Sequence, residues 1–186
     1  MRQTYQFERL YGQNVILIPS YEVNTEDLRE KYRSWLNNDN EVRIGIGENH
    51  TYTPQEILDL FKDYELNEIH YIIFVPDKDR IKPIGDISVV IRGEEVDYSS
   101  YAKAGYFKIM LGEERGKGYG FEAASILFSY LFSCLGFEII LSSCYSDNKA
   151  SKNLHKKLGF EQKASSESEI FFELTKENWE RQKDKN

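Results

Sequence analysis

The chain is poor in the residues that staple, interrupt or positively charge a protein. Its 186 residues include 2 cysteines, 4 prolines and 3 histidines, and 24 lysines and arginines stand against 31 acidic residues. Cys134 and Cys144 have no metal-ligand spacing, which excludes a zinc ribbon or a disulfide scaffold. They read as reduced, buried thiols, and no metal is expected. The scarcity of proline excludes long extended linkers. A net charge of -7 argues against a nucleic-acid surface. No run approaches the roughly 18 uncharged apolar residues of a spanning helix, and MRQTYQFERLYG at the N-terminus has no apolar stretch after its arginine. The expectation is a cytoplasmic monomer or homodimer with no nucleic-acid or membrane partner.

What is present is the material of one folded domain. Hydrophobic residues make up 40% of the chain, with 13 tyrosines and 11 phenylalanines, so the core should be aromatic-rich. The length suits a single domain over 1–186, with 176–186 as a frayed, charged tail.

The centre of the pattern is residues 104–131, AGYFKIMLGEERGKGYGFEAASILFSYL. An apolar-rich run from Tyr106 to Leu111 breaks at Gly112. A charged turn follows, then Gly116, Gly118 and Gly120 on alternate positions. After them Phe121, Ala124, Leu127, Phe128, Leu131 and Cys134 recur at the spacing of one helix face. Strand, glycine-rich turn and helix in this order aim backbone N–H groups and the positive end of a helix dipole at one point, which suits a phosphate. The glycine spacing fits neither the dinucleotide fingerprint nor a Walker loop.

The flanking elements can be read in order. Asn14–Pro19 is a short strand. Asn24-Thr25-Glu26-Asp27 provides the N-cap and acidic first turn of a helix whose buried stripe is Leu28, Tyr32, Trp35 and Leu36; it stops at the Asn37–Asn40 cluster, with loop over 45–52. Thr53-Pro54-Gln55-Glu56 starts a second helix with a capping box. Tyr71–Val75 and Pro83–Ile91 form a hairpin, and 92–103 is surface loop. Gly136 ends the central helix. Strands follow at Phe137–Ser143, from Phe160, and at Ile170–Leu174. Between the first two lies a helix capped by Asp147-Asn148, with a core stripe of Ala150, Leu154 and Leu158.

Arg115-Gly116-Lys117-Gly118-Tyr119-Gly120 fits the pattern R/Q-x-x-G-x-G/A, and here the chain resembles the GNAT superfamily of acetyl-CoA-dependent N-acetyltransferases. A second signature agrees: NKASKNLHKKLGF (148–160) follows that superfamily's N-x-x-S/A-x-x-x-Y-x-K-x-G-F, with His155 at the tyrosine position. WLNNDNEV (35–42) is similar to a segment of the branch containing ribosomal-protein-alanine N-acetyltransferases. The resemblance implies an α/β (α+β) fold: a mixed, mostly antiparallel twisted sheet of six to seven strands, flanked by helices and splayed at the acetyl-CoA site. It implies transfer of an acetyl group from acetyl-CoA to a primary amine by direct attack on the thioester, the acceptor being a protein N-terminus or a small molecule. A CoA-binding sensor or scaffold that has lost catalysis is the alternative.

The resemblance also assigns roles. Arg115, Gly116, Lys117, Gly118, Tyr119 and Gly120 would hold the CoA pyrophosphate. Lys108, Ile109 and Met110 would line the pantetheine arm and supply an oxyanion-directed N–H. Asn148 and Ser151 would contact CoA, although Asn148 reads equally as a helix cap. Trp35 and Tyr106 are candidates for the acceptor pocket. His155, displaced from the apolar stripe of its helix, reads either as the acid that protonates the departing thiolate or as an exposed histidine without a role. No carboxylate stands at the usual base positions, which fall on Gly105 and Ser143. Glu48, Asp86, Glu113 and Glu114 are the nearby candidates, and His50 and His70 carry no supporting context.

Overall fold

The computed structural model describes residues 7–47, 49–92 and 103–183. Among them, in chain order, are β1 (Leu10–Tyr11), β2 (Ile16–Pro19), α1 (Ser20–Val23), α2 (Glu26–Asn38), α3 (Asn40–Ile46), α4 (Pro54–Asn67), β3 (Glu68–Asp77) and β4 (Arg80–Arg92). Then come β5 (Ala104–Leu111), α5 (Tyr119–Ser133), β6 (Ile139–Tyr145), α6 (Lys149–Leu158), β7 (Glu161–Ser165), β8 (Glu169–Thr175) and α7 (Lys176–Lys183). The strands make one eight-stranded sheet in the order β1-β2-β3-β4-β5-β6-β8-β7. Every neighbouring pair is antiparallel except β5 and β6. The expected mixed, mostly antiparallel architecture is there, with more strands than six to seven because β1 is a two-residue edge that the sequence gives no means of reading.

The sheet is covered on both faces. Alternate residues of a strand point to opposite sides, so β3 sends Ile69, Tyr71, Ile73 and Val75 to one face, where α5 packs through Ala123, Ala124, Leu127, Phe128, Leu131 and Phe132. Ile72 and Phe74 go to the other face, under Leu28, Tyr32, Trp35 and Leu36 of α2 and Ile57 and Phe61 of α4. The caps follow the expected chemistry. The Thr25 side chain accepts from Leu28 N, and Thr53 and Glu56 close the capping box of α4.

Four expectations are corrected. The Asn37–Asn40 cluster is a hinge one residue wide: Asp39 ends α2, and its carboxylate accepts the N–H groups of Glu41 and Val42, starting α3 where loop was expected. The segment from 176 is helical and docked through Trp179, which is 5% exposed and meets Phe128 edge-on at 5.7 Å. Cys134 is exposed at the end of α5, while Cys144 is buried, and both are free thiols. In α6 the inward face is His155 and Leu158, with Ser151 and Leu154 partly covered, and Ala150 is exposed. The helix is rotated by about one residue relative to the stripe expected from its apolar positions. The surface loop expected at 92–103 lies almost wholly outside the described residues.

Candidate active site

β5 and β6 pair through three residues only, Ala104↔Ile139, Gly105↔Ile140 and Tyr106↔Leu141. Both strands then run on, to Leu111 and Tyr145, without pairing to each other. This parting is the splay, and backbone groups on its two sides lack a ladder partner.

At its far end, β5 turns into α5. Gly116 and Gly118 have φ of 77° and 88°, values that a side chain disfavours, and no heavy atom lies within 4 Å of where a Cβ would stand on either. Gly118 is the N-cap of α5 and supplies no side-chain cap. The first N–H groups of a helix have no intrahelical partner, so the turn offers an uncapped, open, positively polarised helix end. That fits a pyrophosphate. Gly120 is closely packed: a Cβ there would stand 3.3 Å from Leu111 Cδ1. Tyr119 is partly buried against the core.

The cations of the turn are engaged within the protein. Lys117 and Lys82 both bind Glu114, and the Lys117 bond first, then that of Lys82, hold its carboxyl at about 2. Arg115, expected to face phosphate, donates from Nε to the Leu111 carbonyl at 2.7 Å and from Nη2 to Asp39 Oδ2 at 2.7 Å, with Glu41 3.2 Å from Nη1. It straps the turn to the junction of α2 and α3. Lys108 points away from the turn: it pairs with Glu68 and lies 5.5 Å above the Tyr64 ring. Ile109 packs toward α5 and Met110 toward α2 and α4.

The wall above the parting comes from α2 and α3. Trp35 is buried against Gly112, where a Cβ would stand 2.1 Å from its Cδ2, and its Nε1 donates to Glu113 at 3.3 Å. Trp35, Asp39, Glu41 and Arg115 line an open surface depression. From α3 the chain crosses to the β6 side: a Cβ on Gly47 would stand 1.9 Å from the Tyr145 hydroxyl, and one on Gly45 3.7 Å from Asn148 Nδ2. Asn148 caps α6 by accepting from Ser151 N at 2.9 Å. Tyr106 bridges the strands, its hydroxyl 2.6 Å from Ser143 Oγ.

Gly105 has no room for a carboxylate. A Cβ there would stand 2.3 Å from Val89 Cγ1 and 2.7 Å from Phe137 Cε1. His155 is corrected most sharply. Expected to face the cleft, it is 2% exposed, stacked on Phe172 at 4.3 Å, and hydrogen-bonded to the Ser151 carbonyl at 2.8 Å and to Ser142 Oγ at 2.8 Å. Burial pushes its pKa down, against the Ser151 bond that raises it. The sequence offered no sign of a second buried histidine with a partner: His70 Nε2 is 3.0 Å from Asp86 Oδ2, under Tyr64 stacked at 4.1 Å. Burial and then the Asp86 charge raise the pKa of both Tyr32 and Tyr64. Glu48 lies outside the described residues. Among the described residues no three His, Cys, Asp or Glu side chains gather as a metal site, and no helix is long and apolar enough to cross a membrane.

Comparison with known proteins agrees with this geometry. The family model of the acetyltransferase (GNAT) domain matches residues 21–161. The chain belongs to this family and is an N-acetyltransferase, built as a single GNAT-fold sheet flanked by helices. It is 25% identical over 176 residues to alpha/beta-tubulin-N-acetyltransferase 9 of Homo sapiens, covering 89% of this chain and 80% of that one. Two solved structures share the fold. Ribosomal-protein-S5-alanine acetyltransferase of Vibrio fischeri superposes with a TM-score of 0.69 at 16% identity, over 93% of this chain and 99% of that one. FdhC, a nucleotide-linked sugar GNAT, gives 0.75 at 19% identity, over 96% of each.

Proposed function

We propose that the chain transfers an acetyl group from acetyl-CoA to a primary amine by direct attack on the thioester, and that its preferred acceptor is an α-amine such as a protein N-terminus. The observation that carries the donor is the uncapped end of α5 behind Gly116 and Gly118, set at the mouth of the β5–β6 parting. Backbone N–H groups of 116–120 would hold the pyrophosphate, with Lys117 at the rim. Backbone of β5 beyond Tyr106 would pair with the pantetheine arm and direct an N–H at the thioester oxygen, where charge develops during attack. Asn148, already spent on its cap through Oδ1, keeps Nδ2 for a CoA contact.

Support for the acceptor comes from what the proton costs. A lysine-like amine of pKa near 10.4 costs about 4.6 kcal/mol to deprotonate at pH 7, and an α-amine near 7.7–8 only about 1–1.4. With Gly105 walled in by Val89 and Phe137, the parting has no carboxylate at that position to offset the larger cost. The relatives' printed names, which cover a tubulin, a ribosomal protein and a nucleotide-linked sugar, differ in acceptor, so the fold does not choose among amines. A thiol-release assay with acetyl-CoA and a panel of peptides, polyamines and amino sugars tests the reading. Turnover on peptides with a free N-terminus, lost when that terminus is blocked, is expected. Strong activity confined to lysine-like amines at neutral pH would sink the acceptor assignment.

A further inference from the structure

Ser142 stands where β5 and β6 stop pairing. The last ladder pair is Tyr106↔Leu141. In a continuing parallel ladder the Phe107 carbonyl would take an N–H from β6. Here Ser142 Oγ is the group within reach, 3.2 Å from the Phe107 oxygen. The same Oγ lies 2.8 Å from His155 Nε2, and the other ring nitrogen, Nδ1, is 2.8 Å from the Ser151 carbonyl oxygen.

Counting protons makes this a device with two positions. A carbonyl oxygen only accepts, so Nδ1 carries hydrogen and donates to Ser151. In the neutral ring Nε2 is then a lone pair that takes the Ser142 proton. Serine has one proton to give, and the Phe107 oxygen is left without it. When a solvent proton is added to Nε2, that N–H donates to Ser142 Oγ and the hydroxyl turns to Phe107. We propose that His155 acts on the acetyl-donor site through Ser142, as a positioning residue: the neutral ring leaves the Phe107 carbonyl open to an amide N–H of the donor's pantetheine arm, and the protonated ring closes it.

This inference rests on the reading of the parting as the donor's place. The ring's neighbours are Phe107 from β5, Ser142 from β6, Phe160 ahead of β7, Phe172 from β8, and Ser151 on its own helix. None of these carries charge. The further titratable group bearing on them is the Cys144 thiol, whose pKa burial raises and whose bond to Ser151 opposes that rise. Burial favours the neutral ring, so the carbonyl is open at neutral pH and closes on acidification.

The test is the affinity of the full chain for acetyl-CoA, measured by calorimetry at about pH 7.5 and at about pH 4.5, the acid point lying well below the ordinary histidine value because burial lowers that of the folded ring. Ser142→Thr keeps the hydroxyl and Ser142→Val replaces it at nearly equal volume. The threonine variant should lose about 3- to 10-fold more affinity on acidification than the valine variant, the worth of one hydrogen bond. His155→Phe frees the hydroxyl for Phe107 at every pH and should bind about 3- to 10-fold more weakly than wild type at pH 7.5, with Ser142→Val added to it restoring affinity. A merely structural histidine predicts no such restoration. Equal pH dependence in the threonine and valine variants overturns the inference even if His155→Phe fails to fold, and so does a folded His155→Phe protein that binds as wild type does. Absence of acetyl-CoA binding by the wild type at both pH values overturns the donor assignment, and this inference with it.

Discussion

Arg115 is tied to Asp39, Nη2 to Oδ2 at 2.7 Å, so an ion pair between residues far apart in sequence joins the glycine turn to the junction of α2 and α3. Asp39 also accepts from Glu41 N at 2.9 Å and Val42 N at 3.1 Å, starting α3. Burial raises its carboxyl pKa, and the Arg115 bond with the two cap N–H groups more than offsets this, leaving it below the ordinary value. Asp39→Ala should cost about 1–2 kcal/mol in denaturant unfolding, whereas Asp39→Asn, which still caps, should cost less. Because the folded value is depressed, the contribution is present above the unfolded carboxylate value and is lost as pH falls through the folded one. The gap between wild type and Asp39→Ala should therefore close at acid pH.

Gly118→Val should separate binding from folding. At φ 88° a side chain adds roughly 1–2 kcal/mol of backbone strain, a modest loss for a domain of this size. The branched side chain would stand in the open space over the helix end. Thermal stabilisation by acetyl-CoA, measured at many times a micromolar concentration, should appear in the wild type and vanish in the variant. Stabilisation that survives the substitution would remove the turn from the donor site.

A family-like carboxylate cannot be restored at position 105. Gly105→Glu would drive its Cβ into Val89 and Phe137, and overpacking of this kind costs typically about 1–3 kcal/mol or more. A lowered melting temperature without a gain in turnover on lysine-like amines is expected. A stable, faster enzyme would show that the wall there yields.

The end of the chain contributes to the core. Trp179 meets Phe128 at 5.7 Å and Phe132 at 6.4 Å. Trp179→Ala should cost about 3–5 kcal/mol in denaturant unfolding, the usual loss for a buried large aromatic. A loss under 1 kcal/mol would return the tail to the surface.

The readable parts of the molecule were those with local chemistry. The turn and its helix follow from Gly116, Gly118 and the periodicity of α5, and α4 follows from Thr53 and Glu56, because caps and glycines act within a few residues. Asp39 was ambiguous in kind: the same Asn/Asp chemistry ends one helix and starts another, and α3 was hidden in a run that reads as loop. KENWERQK (176–183) carries one apolar anchor, too little to reveal a docked helix. In α6, small residues at Ala150 and Ser151 leave the rotation of a short helix undetermined, and the sequence carries no sign that His155 faces Phe172. The partners of Arg115 and His70 lie 76 and 16 residues away, and only the packed fold brings them together.

His155 should leave a signature in the pH dependence of stability. Its pKa is lowered in the folded state by burial, while in the unfolded chain it returns to about 6.5. Above that value both states are neutral and stability is unaffected. As pH falls below it, the unfolded state takes up a proton that the folded state refuses, so unfolding becomes easier by at most about 1.4 kcal/mol per pH unit until the folded value is reached. Groups that the substitution does not touch contribute equally to wild type and variant and cancel in a difference. His155→Phe keeps the stack on Phe172 and removes the proton. Urea unfolding from pH 7.5 down to about pH 5 should show the wild type losing stability faster than the variant, with the two curves converging or crossing on the acid side. Parallel curves throughout would mean that His155 takes its proton as readily folded as unfolded, contrary to a ring sealed among Phe107, Phe160 and Phe172.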